Sequence, residues 1–489
     1  IKAEAYAARL IERQRALASL GAIAWMDEER LLDSARRIDT ARLRGQVLGP
    51  LGGLPVVVKD NIDTIGFPTS AGTASLKSLN PKAEAPVAAT LWRAGALLFG
   101  KANMHELAGG GTSSNPAFGF VRNPHDPART PGGSSGGTAA ALAARIVAAG
   151  LGSDTAGSVR IPSAFCGTAA LRPTIAGARK LYSDEGVVPL AADLDTVGPM
   201  ARTVADVALL HEAITGQSAP ATRLKGVRIG LPRGHHWDAL DDDVREIAEA
   251  ATARLRDAGA ILVDVEFSEF AAAALPVFES LLVNGFKNDL AIYFSRHAPQ
   301  FDAAEVIDRI ESRDTRRLFD MARDSGFSPQ AVAAARGALR GKIQAQYEEI
   351  LGTKGLDAIA YPTAPLTAPL IPAGGDQFED EVVVGGMRVN KVGVLIRNTG
   401  MTCAIGAPSV SLPAGLTRSG LPVGLELDGR IGADGALLGL AVAAEQAIGQ
   451  LPPPTTEAIL RGLQKVGGER QPTIVEPLQG KVARKEERH

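Results

Sequence analysis

The stretch "LPVVVKDN", Leu54 to Asn61, decides the fold class. Val56, Val57 and Val58 form a continuous apolar run, the pattern of a strand buried on both faces. Lys59 stands at its end. Further on, Pro86 to Ala94 has helical spacing of apolar residues, Gly95 ends that helix, and Ala96 to Phe99 is a second short apolar run. Strand, helix and strand in succession argue for an α/β architecture.

On the N-terminal side, Ala3 to Leu20 and Asp27 to Arg44 have helical spacing. On the C-terminal side, Ala108 to Pro131 lacks periodicity and is rich in Gly, Asn, Pro and Ser. Loops of that length in compact domains are often functional. Gly137 to Ala149 predicts an alanine-rich helix, and "GLGSDTAGSVRIPSAF" a second glycine- and serine-rich turn. "TVADVALLHEAITG" predicts a helix with Thr203 as N-cap, Asp206 three residues on and Gly216 past its end. "VRIGLPRG" and "AILVDVEF" predict strands flanking a helix over Asp241 to Asp257. Residues 268–351 carry no strand signal and predict a helical insertion over the sheet. "DAIAYPTAP", "APSVSLPAG" and "LPVGLELDG" bring strands back before a helix over Ala436 to Ile448. The expectation is one domain over 1–450 and a C-terminal tail over 451–489, where prolines and mixed charges predict loose packing.

Composition narrows the function classes. With 489 residues, 45% hydrophobic, 22% charged and a net charge of −2, the chain is neither disordered, collagenous nor a polybasic nucleic-acid binder. Two cysteines, Cys166 and Cys403, exclude a disulfide framework and point to the cytoplasm. No C-x-x-C or H-E-x-x-H pairing occurs, so neither a metal nor another cofactor is expected. The longest apolar stretch, Thr138 to Leu151, is interrupted by Arg145 and is too short to span a bilayer, so no membrane partner is expected. The chain opens on Ile1 with no visible signal segment, and a trimmed one stays open.

"PGGSSGG", Pro131 to Gly137, admits four readings. A linker conflicts with the ordered-looking apolar segments on both sides. A phosphate cradle lacks the lysine or the preceding strand it requires. G-x-S-x-G matches with Ser134 or Ser135 at its centre, but "NPHDPART" before it cannot be the strand that a nucleophile elbow needs. His211, His235, His236 and His297 lie in no stretch that looks like a catalytic loop. The fourth reading takes two serines together with a lysine.

That reading rests on "VVVKDN", "GKANMHELAGG", "PGGSSGGTAAALAA" and "GLGSDTAGSVRIPSAFCGTAALRPT", which resemble the successive segments of the amidase signature family. The spacing of Ser134 and Ser158, 158 − 134 = 24 positions, matches, and "DTVGPMARTVADVALL" continues the likeness. The resemblance is dense over about 49–210 and sparser to about 449. It implies an α/β fold with a large twisted mixed sheet covered by helices on both faces. It also implies that Ser158 is the nucleophile, Ser134 a bridge preceded at Gly133 by a cis peptide bond, Lys59 the base, and Ser135 a supporting residue.

The residue chemistry agrees with this. An alcohol is a weak nucleophile near neutral pH and needs a base. A lysine can serve only if neutral, and burial lowers its pKa by up to about 3–5 units. Asp60 would hold Lys59 charged unless strand alternation turns it to the other face. The amides of Thr155, Ala156, Gly157 and Ser158 sit at a turn opening a helix, a natural site for an oxyanion. Ala156 stands where the family usually has a second glycine, as it does in allophanate hydrolases, so either its φ is ordinary or the oxyanion site differs. Asp154 and Arg160 suit a structural ion pair, Thr155 a supporting role, and Cys166 a buried position.

Ala108, Gly109, Gly110 and Gly111 correspond to the family's acyl-pocket loop, and three glycines in a row leave room beside the scissile bond. Residues 268–351 and 361–400 supply further walls, with Phe270, Phe278, Phe286, Tyr293 and Tyr361 as candidates for pocket or core. The expected substrate is a small or aryl amide, or a carbamate or anilide, cleaved through an acyl-enzyme. The motifs look closest to the arylacetamide, indoleacetamide and mandelamide hydrolase branch. The alternatives are the amidase component of a glutamyl-tRNA(Gln)-type amidotransferase, whose "GSDTGGSIRQP" differs at Ala156, Val159 and Ile161, and an allophanate-hydrolase-like enzyme. Monomer and homodimer are both open.

Overall fold

The computed structural model describes residues 1–176, 179–372 and 381–467. Among them, eleven strands form one mixed sheet. In chain order they are β1 (Ile23–Trp25), β2 (Pro55–Lys59), β3 (Leu97–Ala102), β4 (Ala149–Asp154), β5 (Ala169–Arg172) and β6 (Thr196–Ala201). Then follow β7 (Arg228–Pro232), β8 (Ile261–Val265), β9 (Ala358–Pro362), β10 (Ser409–Leu416) and β11 (Pro422–Asp428). The spatial order is β1-β3-β2-β4-β6-β5-β10-β11-β9-β7-β8. This is the α/β architecture that the valine run and its neighbours foretold.

The valine strand β2 lies parallel between β3 and β4, with all five of its residues buried. Val58 is in register with Lys101 on one side and Leu151 on the other. The C-terminal ends of three parallel strands therefore meet in one place, the edge at which open α/β sheets place their sites. Lys59, Ala102 and Asp154 close those strands.

Strand β4 corrects the expectation of a turn at this point. The expected alanine helix spans only Gly136–Ala143, Arg145 turns the chain at φ +56°, and "AGLGSD" is a central strand. Its glycines hid it, and they have a packing cause. A Cβ on Gly150 would lie 2.7 Å from Thr138 Cγ2, and one on Gly152 2.7 Å from Ser135 Oγ, because the helix lies directly on the strand. The short strands β1, β5 and β6, and a hairpin of Glu381–Val384 with Met387–Asn390, were likewise unanticipated.

Residues 268–351 are helical, as expected, with Ser268–His297, Ala303–Asp308, Arg313–Asp324, Pro329–Ala334 and the start of Arg340–Lys354. Helix Ser268–His297, rather than Thr138–Leu151, is the longest apolar element. It is long and apolar enough to cross a membrane, yet half of its apolar window is buried inside the protein. Phe270, Ala274, Phe278 and Leu281 pack into the same core as Ile229, Ile359 and Val410 of the sheet.

The expected tail is partly ordered. Thr456–Lys465 is a helix capped by Thr455, and its Ile459 and Leu463 are buried with Leu10, Ile11 and Leu142. Residues 468–489 lie outside the described residues.

Candidate active site

Lys59 ends β2 with its side chain fully buried. Its Nζ lies 2.7 Å from Ser134 Oγ, 2.8 Å from Ser153 Oγ and 3.3 Å from the Ser153 carbonyl. Burial pushes the Lys59 amine down to about 7, although the more distant Asp154 and Asp195 carboxylates oppose this. Among the described residues no carboxylate is in contact with it. Asp60 faces the other way, as alternation requires, and pairs with Lys101 Nζ at 3.5 Å. It also accepts from Ser70 Oγ and, at 3.4 Å, from Trp25 Nε1.

Ser134 sits where "PGGSSGG" enters helix Gly136–Ala143, and the Gly133–Ser134 peptide bond is cis. Gly133 lies under the Gly111–Thr112 backbone, where a Cβ would be 2.8 Å from Ser113 N. Ser135 ties this turn to the neighbouring strand: its Oγ donates to the Ser153 carbonyl at 3.2 Å and accepts from Ser153 N at 3.3 Å. Its backbone N–H donates to the Ser158 carbonyl at 3.1 Å, which brings the second serine turn alongside the first. Lys59 and Ser134 are 0% exposed and Ser158 8%, so Ser158 is the end of the set that meets solvent.

Strand β4 delivers Asp154, and the turn Thr155–Ser158 follows before helix Arg160–Cys166. The Asp154 carboxylate accepts from the N–H groups of Gly157 at 2.9 Å and Val159 at 3.1 Å. Burial opposes its charge, but Arg160 Nη2 at 3.1 Å and Arg172 Nη1 at 2.9 Å hold it well below the usual carboxylate range. Arg160 also binds Glu426. The expected structural ion pair is thus a four-residue network. It also withdraws Gly157 from the four amides expected to face an oxyanion, since that N–H is occupied by Asp154. The N–H groups of Thr155, Ala156 and Ser158 meet no acceptor among the described residues.

Ala156 has no positive φ, whereas Gly157 adopts φ +124°. The alanine is therefore compatible with the turn, and the glycine beside it takes the conformation that needs one. Thr399 closes on this pair. Its Oγ1 donates to the Ala156 carbonyl, and a Cβ on Gly157 would lie 2.4 Å from it. The Thr155 hydroxyl points away, donating to Asp195 Oδ1 at 2.6 Å.

Loop Ala108–Gly111 departs from the open space expected of it. Cβ atoms on Gly109, Gly110 and Gly111 would meet Thr315 Cγ2 at 2.6 Å, His105 Cε1 at 2.2 Å and Leu395 Cδ1 at 3.0 Å. Ala108 is buried at φ +58°. The glycines admit the protein's own side chains, so the room lies elsewhere. It is a cavity of about 990 Å³ between helices Ser268–His297 and Arg313–Asp324 and the segment 390–401. Phe278 and Phe286 line it. Phe270 and Tyr361 are core residues, and Tyr293 bonds Asp63 at 3.2 Å.

Sequence reasoning missed four residues of the site. Ser153 and Asn61 stand behind the amine, with Asn61 Nδ2 donating to Ser153 Oγ at 3.0 Å and to the Val188 carbonyl at 3.2 Å. They lie within the motifs "KDN" and "GSDTAGS", Asn61 two positions after Lys59 and Ser153 five before Ser158. Thr399 carries no local signal. His105 N–H donates to the Ser134 carbonyl at 3.1 Å, but its ring lies 3.2 Å from Ser312 Oγ and burial pushes it down to about 4. Cys166 is buried, which raises its thiol far above the usual range.

The chain is similar to known proteins over most of its length. A family model described as Amidase matches residues 4–438. An indoleacetamide hydrolase of Agrobacterium vitis is 38% identical over 446 residues, spanning 90% of this chain and 92% of the relative. A mandelamide hydrolase of Pseudomonas putida is 35% identical over 84% of this chain and 81% of its own. A component of the glutamyl-tRNA(Gln) amidotransferase of Moorella thermoacetica is 33% identical over 86% and 88%. Among solved structures, a native peptide amidase from Stenotrophomonas maltophilia superposes with a TM-score of 0.77 at 28% identity, covering 94% of this chain and 96% of that one.

Proposed function

The chain belongs to the amidase family and is an enzyme that hydrolyses the C–N bond of amides; on that premise we propose that it does so through an acyl-enzyme on Ser158, with Ser134 and Lys59 as a proton relay. The observation that carries the reading is the Lys59 amine, buried, 2.7 Å from Ser134 Oγ and in contact with no carboxylate among the described residues.

In this mechanism Ser158 Oγ attacks the amide carbonyl carbon. Its proton passes to Ser134 Oγ as the Ser134 proton passes to neutral Lys59. The Ser153 carbonyl and hydroxyl take the two N–H groups of the neutral amine, leaving its lone pair for Ser134. Asn61 keeps the Ser153 hydroxyl in place. The oxyanion meets the amides of Thr155, Ala156 and Ser158, each such donor being worth on the order of 10²–10³ in rate. When the tetrahedral intermediate collapses, the C–N bond breaks, and the amine takes a proton from Ser134, which Lys59 replenishes. Water then attacks the acyl-enzyme by the same relay and releases the acid.

The preferred substrate is a small or aryl amide with the bulk on the acyl side, as the names of the indoleacetamide and mandelamide hydrolases suggest. Carbamates and anilides fit the same steps, because only the leaving group or the acyl heteroatom changes. The likeness to the amidotransferase component supports a second reading, in which the chain supplies ammonia within a complex.

A panel of an aryl amide, an anilide, a carbamate and glutamine separates these. Hydrolysis of the aryl amide by the isolated chain is expected. Turnover of glutamine alone, only with tRNA and partner proteins, would replace the first reading by the second. A fluorophosphonate is expected to label Ser158. Labelling of Ser135 or a cysteine would overturn the assignment.

A further inference from the structure

We propose that Asp195 is a positioning residue for the amide hydrolysis: through the Thr155 hydroxyl it fixes the turn whose amides receive the oxyanion. This rests on the amidase reading above and adds to it a residue outside the relay of Lys59, Ser134 and Ser158.

Strands β4 and β6 are antiparallel, with Asp154 in register with Thr196. That register sets Thr155 opposite Asp195, one step past the last ladder pair. Both are buried, and Thr155 Oγ1 donates to Asp195 Oδ1 at 2.6 Å. Arg172 ties the two backbones one residue earlier. Its Nη1 donates to the Asp154 carbonyl at 2.6 Å and its Nη2 to the Leu194 carbonyl at 2.7 Å. The two segments are thus clasped at successive residues, 154 with 194 and 155 with 195.

Asp195 is itself held from behind. Its Oδ2 accepts from the N–H groups of Leu190 at 2.8 Å and Ala191 at 3.0 Å. The next two residues are anchored to the helical region 268–351: Ala192 N–H donates to Asp289 Oδ2 at 2.7 Å, and Arg336 Nε meets Asp193 Oδ2 at 2.7 Å. A carboxylate that only closed its own loop would need the oxygen facing Leu190 and Ala191. The other oxygen is spent on the nucleophile turn.

That bond matters because donors to a developing charge must be in place before it forms. The N–H groups of Thr155 and Ala156 meet no acceptor among the described residues, so no hydrogen bond of their own orients them. Their aim comes from what grips the residues that carry them, Asp195 at the Thr155 hydroxyl and Thr399 at the Ala156 carbonyl.

The test uses phenylacetamide as substrate. Thr155→Val keeps the shape and removes the hydroxyl, and is expected to lower kcat about 10–100-fold with KM within about twofold. Thr155→Ser keeps the hydroxyl and should stay within about threefold of wild type. Asp195→Asn can turn its carbonyl to Leu190 and Ala191 and its N–H to the Thr155 hydroxyl, so it should lose less than Thr155→Val. Benzylboronic acid has boron in place of the carbonyl carbon. Its boron takes up Ser158 Oγ as a tetrahedral anion, the serine proton passing to the relay. Its Ki should rise in Thr155→Val by the factor that kcat/KM falls. Wild-type kcat in Thr155→Val, a loss confined to KM, an unchanged Ki, or Thr155→Ser or Asp195→Asn as impaired as Thr155→Val would overturn the proposal.

Hydrogen exchange of residues 154–159, read by mass spectrometry, follows the turn without turnover. Exchange at least about tenfold faster in Thr155→Val than in wild type or Thr155→Ser supports the clasp. Equal exchange in all three overturns it even where the wild type hydrolyses phenylacetamide. Faster exchange in Thr155→Val, with a wild type that hydrolyses no amide and binds no boronate, would sustain the clasp and overturn the amidase reading instead.

Discussion

Two lysines stand at the ends of adjacent parallel strands, and they have opposite surroundings. Lys59 and Lys101 are both fully buried, and burial lowers the pKa of each. Lys101 Nζ meets acceptors: the Ile62 carbonyl at 2.8 Å, the Pro68 carbonyl at 3.2 Å and the Asp60 carboxylate at 3.5 Å, with the Thr69 hydroxyl also at 3.5 Å. Those four acceptors outnumber the three donors that even an ammonium offers. Lys59 meets two hydroxyls and one carbonyl, and hydroxyls can donate as well as accept. Asp60, next to Lys59 in the chain, serves Lys101 because alternation turns it to the other face. The placement of a single carboxylate thus separates the two amines: Lys101 pairs with it, while Lys59, left without it, is the base in the mechanism proposed above.

The comparison is broken most severely at its catalytic end. Ser158→Ala is expected to lower kcat by at least about 10⁴-fold, with the unfolding midpoint and circular dichroism unchanged. Lys59→Met is expected to lower kcat/KM by about 10²–10⁴-fold, the range of a lost general base. Lys59→Arg should do no better, since a guanidinium stays charged. Activity near wild type in either Lys59 variant would remove Lys59 from the relay.

At the structural end the expected loss is stability. Lys101→Met leaves Asp60 buried without its cation, which should cost about 3–5 kcal/mol in denaturant unfolding, while the folded fraction keeps its turnover. The same replacement at Lys59 should cost much less. Equal losses at the two positions would mean that their surroundings do not differ as described.

pH gives the smallest and most graded effect. Because Lys59 must be neutral, kcat/KM should climb about tenfold per pH unit below 7 and level off above it. Stability follows the same depressed pKa. Between about 7 and 10.5 the unfolded chain binds the extra proton, so wild type should gain stability relative to Lys59→Met as pH rises through that window, with no further change below 7. A difference independent of pH would mean that Lys59 titrates normally.

Much of this was legible in the sequence, and what was not has physical reasons. The valine run, the helix Val204–Thr215 with its Thr203 cap and Gly216, and the helical stretch after residue 268 depend on local pattern, and local pattern foretold them. The strand Ala149–Asp154 did not look like one, because its glycines answer to the helix packed on it rather than to strand propensity. Lys59 and Ser134, which the structure brings to 2.7 Å of each other, stand at motif positions where the proposed relay demands those particular side chains. Thr399 was not legible, since its partner Ala156 lies 243 positions away (399 − 156 = 243), whereas the cavity falls largely within the stretches 268–351 and 361–400 that were named as walls. The glycines at 109–111 misled in the other direction: the space they leave is taken by residues that only the fold brings there.

The central claim is that the Lys59 amine is neutral in the working enzyme. Direct observation of the lysine side-chain nitrogens by ¹⁵N NMR over pH 5–11, with the Lys59→Met spectrum to assign the signal, tests it. The account predicts a lysine signal that titrates near 7, is absent from Lys59→Met and tracks the rise in kcat/KM. A Lys59 nitrogen that remains an ammonium up to pH 10, while kcat/KM has already levelled off, would contradict it.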